Sequence, residues 1–123
     1  MTLLSPTTRA SHLAAWAWIA QAATGVLLLV LLTLHLAAQH FTGADGVLSY
    51  TEVIDYLRNP LVFLVETLFS ASVLLHALLG VRAVLFDLDL SALRQHQVNI
   101  GLTILGVAMF LWAFALTFAT VMR

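Results

Sequence analysis

Three long apolar runs constrain the fold of this chain more than any other feature of its sequence. They cover approximately residues 13–38, 61–86 and 98–121 and take up most of the 123 residues. A helix needs about 20 apolar residues to cross the hydrocarbon core of a bilayer, which is about 30 Å thick. The sequence therefore predicts an all-α bundle of three transmembrane helices, formed as a single transmembrane domain over residues 1–123.

The composition agrees with a bilayer environment and excludes several kinds of site. Hydrophobic residues make up 62% of the chain and charged residues only 9%, which is far from the balance of a soluble domain. The sequence has no cysteine, so thiolate metal sites, iron–sulfur clusters and C-x-x-C-H heme attachment are excluded. A metal cofactor would have to be held through histidine, and no basic run indicates nucleic acid as a partner.

Four polar or small residues lie close together in the second run and at its end: His76, Gly80, Arg82 and Asp87. An ionisable residue within a membrane span costs a few kcal/mol on insertion scales, so it indicates a functional site by default. Ordinary explanations compete with this interpretation. Arg82 and Asp87 can reach the interface from a helix end, and Gly80 can let a neighbouring helix approach closely.

The pattern H-x-x-x-G-x-R followed by an aspartate resembles the second helix of the membrane-anchor (cytochrome b) subunits of succinate:quinone oxidoreductase, which is respiratory complex II. Upstream, Asn59-Pro60 followed by Glu66 matches the usual arrangement of these anchors. His35, late in the first apolar run, matches it as well. The resemblance covers about residues 16–90.

The resemblance implies a three-helix anchor that pairs with a second anchor subunit and binds heme b. In that arrangement His76 ligates the heme iron, Gly80 lies against the porphyrin, and Arg82 pairs with a heme propionate. Asp87 then lies near the quinone, which is ubiquinone or menaquinone. The other implied partners are an iron–sulfur subunit and a flavoprotein that oxidises succinate, with a trimer of complexes as one form of assembly. This chain would catalyse no substrate reaction itself.

Two alternatives to this function stay open. One is the anchor of a fumarate reductase, which works in the reverse direction, and the other is a structural anchor without heme. One family feature is also missing. Many anchors carry an arginine directly after the glutamine of a Gln-x-x-Thr/Ser-Gly pattern, whereas this chain reads Gln21-Ala22-Ala23-Thr24-Gly25. A complete quinone site within this chain is therefore not expected.

His35 shares one face of the first helix with Gln21 and Thr24, because these residues fall close together at 100° per residue. This face is expected to point into protein. Interhelical hydrogen bonding is the competing role for a histidine in that position. Glu66, near the outer end of the second helix, is expected to make a structural hydrogen bond with the partner anchor, and an outer proton path is the alternative role.

Depth separates the two histidines. Measured from Trp18 at the inner edge, His35 lies about 26 Å up its helix, and His76 lies about 23 Å down from Leu61 at the outer edge. They are therefore not expected to ligate the same iron. Two-heme members of the family resemble this layout, so we expect His35 to ligate a second, distal heme, with His40 as the alternative ligand.

The arginines indicate the orientation in the membrane. Three of them lie on the side of the amino terminus and two on the other side: Arg9, Arg82 and Arg94 against Arg58 and Arg123. The positive-inside rule then places the amino terminus in the cytoplasm, in an inner (plasma) membrane. The resemblance implies the same orientation.

The segments between the apolar runs have their own predicted structures. Residues 1–11 are expected to form an extended arm on the membrane surface. Gly and Asp residues at 43–46 predict a turn, and residues 50–57 predict a short amphipathic helix. Residues 87–97 are predicted to be a short polar loop, which makes the second and third membrane helices antiparallel neighbours.

Overall fold

The computed structural model describes residues 6–42, 46 and 48–122, with side chains from residue 14 to residue 41, at 46 and from 48 onward. These residues form four helices and no strand: α1 (Pro6–Thr42), α2 (Tyr50–Arg58), α3 (Pro60–Phe86) and α4 (Ala92–Val121). Three spans are long and apolar enough to cross a membrane, namely Ala14–Phe41, Pro60–Phe86 and Ala92–Val121. The predicted all-α bundle with three membrane-spanning helices is confirmed.

Local capping explains where α2 and α3 begin. The backbone N–H of Ser49 donates to the Glu52 carboxylate at 2.7 Å, which closes the first turn of the predicted surface helix α2. The Asn59 side chain accepts hydrogen bonds from the backbone N–H groups of Leu61 and Val62 at 3.0 and 3.5 Å. Pro60 follows as the first residue of α3, where its missing N–H costs nothing.

Two predicted boundaries are wrong. α4 begins at Ala92 instead of near position 98, because Ser91 takes the N-cap position and the polar residues after it form the first turns of the helix. The loop between α3 and α4 is consequently confined to 87–91. Residues 6–11 belong to α1 instead of an extended arm. Residues 1–5, and 43–45 of the predicted turn, lie outside the described part of the chain.

α3 is the central helix of the bundle. α1 and α4 both pack on it, while no described Cα atom of α1 comes within 8 Å of one of α4. α2 packs on both α3 and α4, at the end where α3 begins. Among the residues with described side chains, only Leu31 and Ser72 are buried. The three long helices therefore leave most of their apolar surface for lipid or for other subunits.

Glycine allows close contact between α3 and α4. A Cβ atom on Gly106 would lie 2.5 Å from Cδ1 of Leu78, so this leucine occupies the space that a side chain at position 106 would need. Gly101, one and a half turns earlier on the same helix, has nothing within 4 Å of such a Cβ atom. The two glycines thus differ in packing while sharing a helix.

We expect Gly106→Val to destabilise the bundle and Gly101→Val to leave its stability nearly unchanged. Overpacking at a close helix contact costs about 1–3 kcal/mol, and both variants change the intrinsic helix propensity equally. Thermal unfolding in detergent, followed by circular dichroism, measures the difference in Tm between them. Equal Tm values for the two variants would contradict close packing of Leu78 against position 106.

Candidate functional site

The imidazole of His76 lies at the interface between α1 and α3. Its Nδ1 atom is 3.1 Å from the backbone carbonyl oxygen of Gln21 and 3.2 Å from Oγ1 of Thr24. A Cβ atom on Gly25 would lie 3.1 Å from Cε1 of the ring. The ring therefore fits against α1 because position 25 has no side chain.

These contacts define which ring nitrogen of His76 carries the proton. A backbone carbonyl oxygen only accepts hydrogen bonds, so the bond to Gln21 requires Nδ1–H to be the donor. The Thr24 hydroxyl donates to the carbonyl oxygen of Ala20 at 2.7 Å, so its oxygen can accept from the same N–H. In the neutral ring the lone pair is then on Nε2, which has no hydrogen-bond partner among the described residues.

A groove of about 400 Å³ adjoins His76. It is open and mostly apolar, and its lining residues are Gln21, His76, Ala77, Gly80, Val81, Val84 and Leu85. A Cβ atom on Gly80 would lie 3.3 Å from Nε2 of Gln21. Oε1 of Gln21 is buried without a hydrogen-bond partner in the described part of the chain. The groove thus combines a histidine with mainly apolar side chains and one glutamine.

His35 belongs to a second polar cluster, which joins α1, α2 and α3. Its Nδ1 atom lies 2.8 and 2.9 Å from the two carboxylate oxygens of Glu66. The Tyr56 hydroxyl donates to Oε1 of the same carboxylate at 3.2 Å. The His35 ring also stacks on Phe69, with centroids 4.9 Å apart and planes 26° from parallel. Glu66 and Phe69 therefore hold this imidazole, and Tyr56 holds the Glu66 carboxylate.

Glu66 makes its described hydrogen bonds within this chain. Its carboxylate bonds to His35 and Tyr56, while the expected bond to the partner anchor stays a prediction. Tyr56 lies on α2, outside the membrane spans. Burial raises the pKa of its phenol, and the charge of the neighbouring carboxylate and the hydrogen bond to it raise the pKa further. The phenol therefore stays a hydrogen-bond donor at neutral pH.

The two histidines lie at different levels of the α1–α3 interface. His76 meets α1 at Gln21 and Thr24, whereas His35 meets α3 at Glu66. Glu66 and His76 are ten residues apart on α3, which corresponds to about 15 Å along the helix. This spacing supports the sequence prediction that the two side chains serve different sites.

Arg82 faces a different groove from His76. Its Nε–H donates to Oδ1 of Asn99 on α4 at 2.7 Å, and its guanidinium lies over the Phe86 ring at 4.1 Å. Arg82 and Asn99 line a groove of about 630 Å³ that is mainly formed by α3 and α4. Sequence reasoning missed this pair, although an amide in the first turns of α4, just across a short loop from Arg82, was the available signal.

The remaining candidates lie at helix ends. His40 is exposed in the last turn of α1, and Asp87 is the exposed C-cap residue of α3. No group of three or more His, Asp or Glu side chains suited to a metal ion occurs among the described residues. The site therefore consists of two separate imidazoles, each fixed through Nδ1, which can provide one nitrogen ligand apiece.

Comparison with known proteins identifies the same family that the pattern of polar residues resembles. Residues 4–120 match the model of the family described as succinate dehydrogenase/fumarate reductase transmembrane subunit. No solved structure matches the chain.

Two archaeal relatives show the same similarity, and both are named succinate dehydrogenase hydrophobic membrane anchor subunit. The protein of Archaeoglobus fulgidus is 30% identical over 103 residues, which cover 84% of this chain and 87% of the relative. The protein of Thermoplasma acidophilum is 28% identical over 88 residues, which cover 72% of each chain. With its three membrane-spanning helices, this chain belongs to the succinate dehydrogenase/fumarate reductase transmembrane subunit family.

Proposed function

We propose that this chain binds heme b through His76 and, together with a second anchor subunit, passes electrons from an iron–sulfur subunit to quinone. The observation that carries the proposal is the hydrogen bond from Nδ1–H of His76 to the Gln21 carbonyl. It leaves Nε2 as the nitrogen with the lone pair. Histidines that bind metals typically donate the other N–H to a carbonyl or a carboxylate in this way.

The residues around His76 are suited to heme. Iron in a b-type heme needs one protein nitrogen on each face instead of a cluster of ligands, so a single histidine from this chain is enough. The second ligand would come from the partner anchor. The groove beside His76 is lined mainly by apolar side chains, which suits a porphyrin, and by Gly80, whose missing side chain leaves room for the Gln21 amide of α1.

Each of these residues has a distinct task in the proposed site. The Gln21 carbonyl and the Thr24 hydroxyl orient the ring, and Gly25 gives it room. Arg82 lines the α3–α4 groove with Asn99 and not the groove at His76, so its pairing with a heme propionate stays a prediction from the sequence. Bound heme b would supply a centre that accepts and donates one electron at a time.

A second, distal heme at His35 is part of the proposal. The depth difference between the histidines supports two separate sites, and the contact of Nδ1 with Glu66 again leaves Nε2 for a metal. His40 stays the alternative distal ligand, because it lies on the same helix and is exposed. A single heme at His76 is the fallback arrangement.

Family membership and the names of the archaeal relatives support the remaining partners. They are a flavoprotein, an iron–sulfur subunit and a second anchor, with the amino terminus of this chain in the cytoplasm and the complex in the plasma membrane. Assembly of such complexes into a trimer stays a prediction.

The quinone would bind between subunits near Asp87, since this chain lacks the arginine after Gln21. Succinate oxidation is proposed over fumarate reduction because both relatives carry the name succinate dehydrogenase.

The second candidate function is that of a structural anchor without heme. It is favoured by the fact that both histidines already make hydrogen bonds between helices. The optical spectrum of the purified complex separates the two functions. A bis-histidine heme gives sharp bands on reduction, whereas an anchor without heme gives none.

Replacing the histidines one at a time tests the ligands. We expect His76→Ala and His35→Ala each to remove one heme per complex, while His40→Ala keeps the full content. Heme quantitation on assembled complexes provides the count. Full heme content in His76→Ala would contradict the proposed function, and full content in His35→Ala would leave only the site at His76.

A substitution at Gly25 tests the site while the proposed ligand His76 stays in the sequence. Gly25→Val should push the His76 ring out of place and lower the heme content, because even a single Cβ atom would be 3.1 Å from Cε1. Gly106→Val is the matched control, since it crowds the bundle at Leu78, away from the histidine. Equal heme contents in the two variants at equal assembly would contradict the role of the Gly25 contact.

A further inference from the structure

We propose that Glu66, braced by Tyr56, is the positioning residue for His35. The carboxylate holds Nδ1–H of the imidazole, so that Nε2 becomes the nitrogen that ligates the distal heme. This inference rests on the second heme of the proposed function. It assigns to Glu66 a task within this chain, in addition to the structural bond to another subunit and the outer proton path that the sequence suggested.

The geometry fixes both the plane and the direction of the His35 ring. Stacking on Phe69 sets the plane, with 26° between the two rings. The two oxygens of Glu66, at 2.8 and 2.9 Å from Nδ1, set the rotation within that plane. Nε2 lies on the other side of the ring from this carboxylate and has no hydrogen-bond partner among the described residues.

Tyr56 in turn fixes the carboxylate. Its hydroxyl donates to Oε1 of Glu66 at 3.2 Å from α2, which reduces the freedom of the glutamate side chain to turn away. The side chains of His35 and Glu66 are 24% and 14% exposed, so the pair is shielded but has an open side. No Lys or Arg lines the adjoining cavity of about 200 Å³. Among the described residues, the carboxylate is thus held by the imidazole and the phenol.

The two histidines differ in the partner of Nδ1. A neutral carbonyl holds His76, whereas a carboxylate holds His35. A carboxylate partner makes an imidazole a stronger electron donor to the metal than a neutral partner does. Removing the carboxylate should therefore weaken heme binding and raise the midpoint potential at the distal site, and it should leave the site at His76 unchanged.

The experiment uses the assembled complex with Glu66→Leu, Glu66→Gln and Tyr56→Phe. Heme release to apomyoglobin measures affinity at each site, and a redox titration followed optically measures the two potentials. Glu66→Leu should weaken retention of one heme by about 10–100-fold. Glu66→Gln can still accept from Nδ1–H, so it should largely restore retention while keeping the raised potential. Tyr56→Phe should act in the same direction with a smaller effect.

Ser70→Ala is the matched control, because Ser70 lines the same cavity without bonding to His35. Unchanged retention and potential in all three variants, with loss of one heme in His35→Ala, would overturn the inference while the proposed function stands. Full heme content in His35→Ala would show that His35 ligates no heme and would overturn the inference. If Glu66→Leu fails to assemble, Glu66→Gln and Tyr56→Phe decide through the potential of the distal heme.

Discussion

The need to satisfy polar groups within a bilayer governs this structure. Lipid is as apolar as leucine, so the hydrophobic effect does not hold membrane helices together, and close packing and hydrogen bonds between helices take its place. α3 carries the ionisable groups Glu66, His76 and Arg82, each of which is costly to leave unpaired in a membrane. The structure pairs all three with a neighbouring helix: the first two with α1 and the third with α4. Satisfying these groups therefore also defines which helices are neighbours.

The same constraint explains why the fold is open. The polar side chains of α3 bond to α1 on one side and to α4 on the other. No described Cα atom of α1 lies within 8 Å of one of α4. A layer of this kind buries few side chains, and large exposed residues such as Trp16, Trp18 and Trp112 remain on its surface. The surface of such an anchor is completed by lipid and by other subunits. In the proposed complex, the groove at His76 would be completed by the second anchor, which also has to provide the other iron ligand.

How much of this could be predicted depended on the physical signal involved. The lengths of the apolar runs indicated the three membrane spans, and helical periodicity placed Gln21, Thr24 and His35 on one inward face, which the structure confirms. Hydropathy detects the hydrocarbon core and not the helix end, so it missed the polar first turns of α4. The short loop predicted that the second and third membrane helices are neighbours, but the bond between Arg82 and Asn99 was missed. The third helix was predicted to begin near position 98 instead of at Ala92, so Asn99 was not placed at the level of Arg82.

A structural and a functional use of the two histidines are compatible. An interhelical hydrogen bond in a membrane contributes only about 0.6–2 kcal/mol, yet it occupies one ring nitrogen and thereby decides which nitrogen keeps its lone pair. Each imidazole has two nitrogens, so the bond through Nδ1 that joins α1 to α3 would also leave Nε2 for the iron of the proposed heme. The interhelical bonds by themselves therefore do not argue against heme. The two functions therefore differ at Nε2, which would ligate iron in a heme-binding anchor and would have no iron to ligate in a structural one.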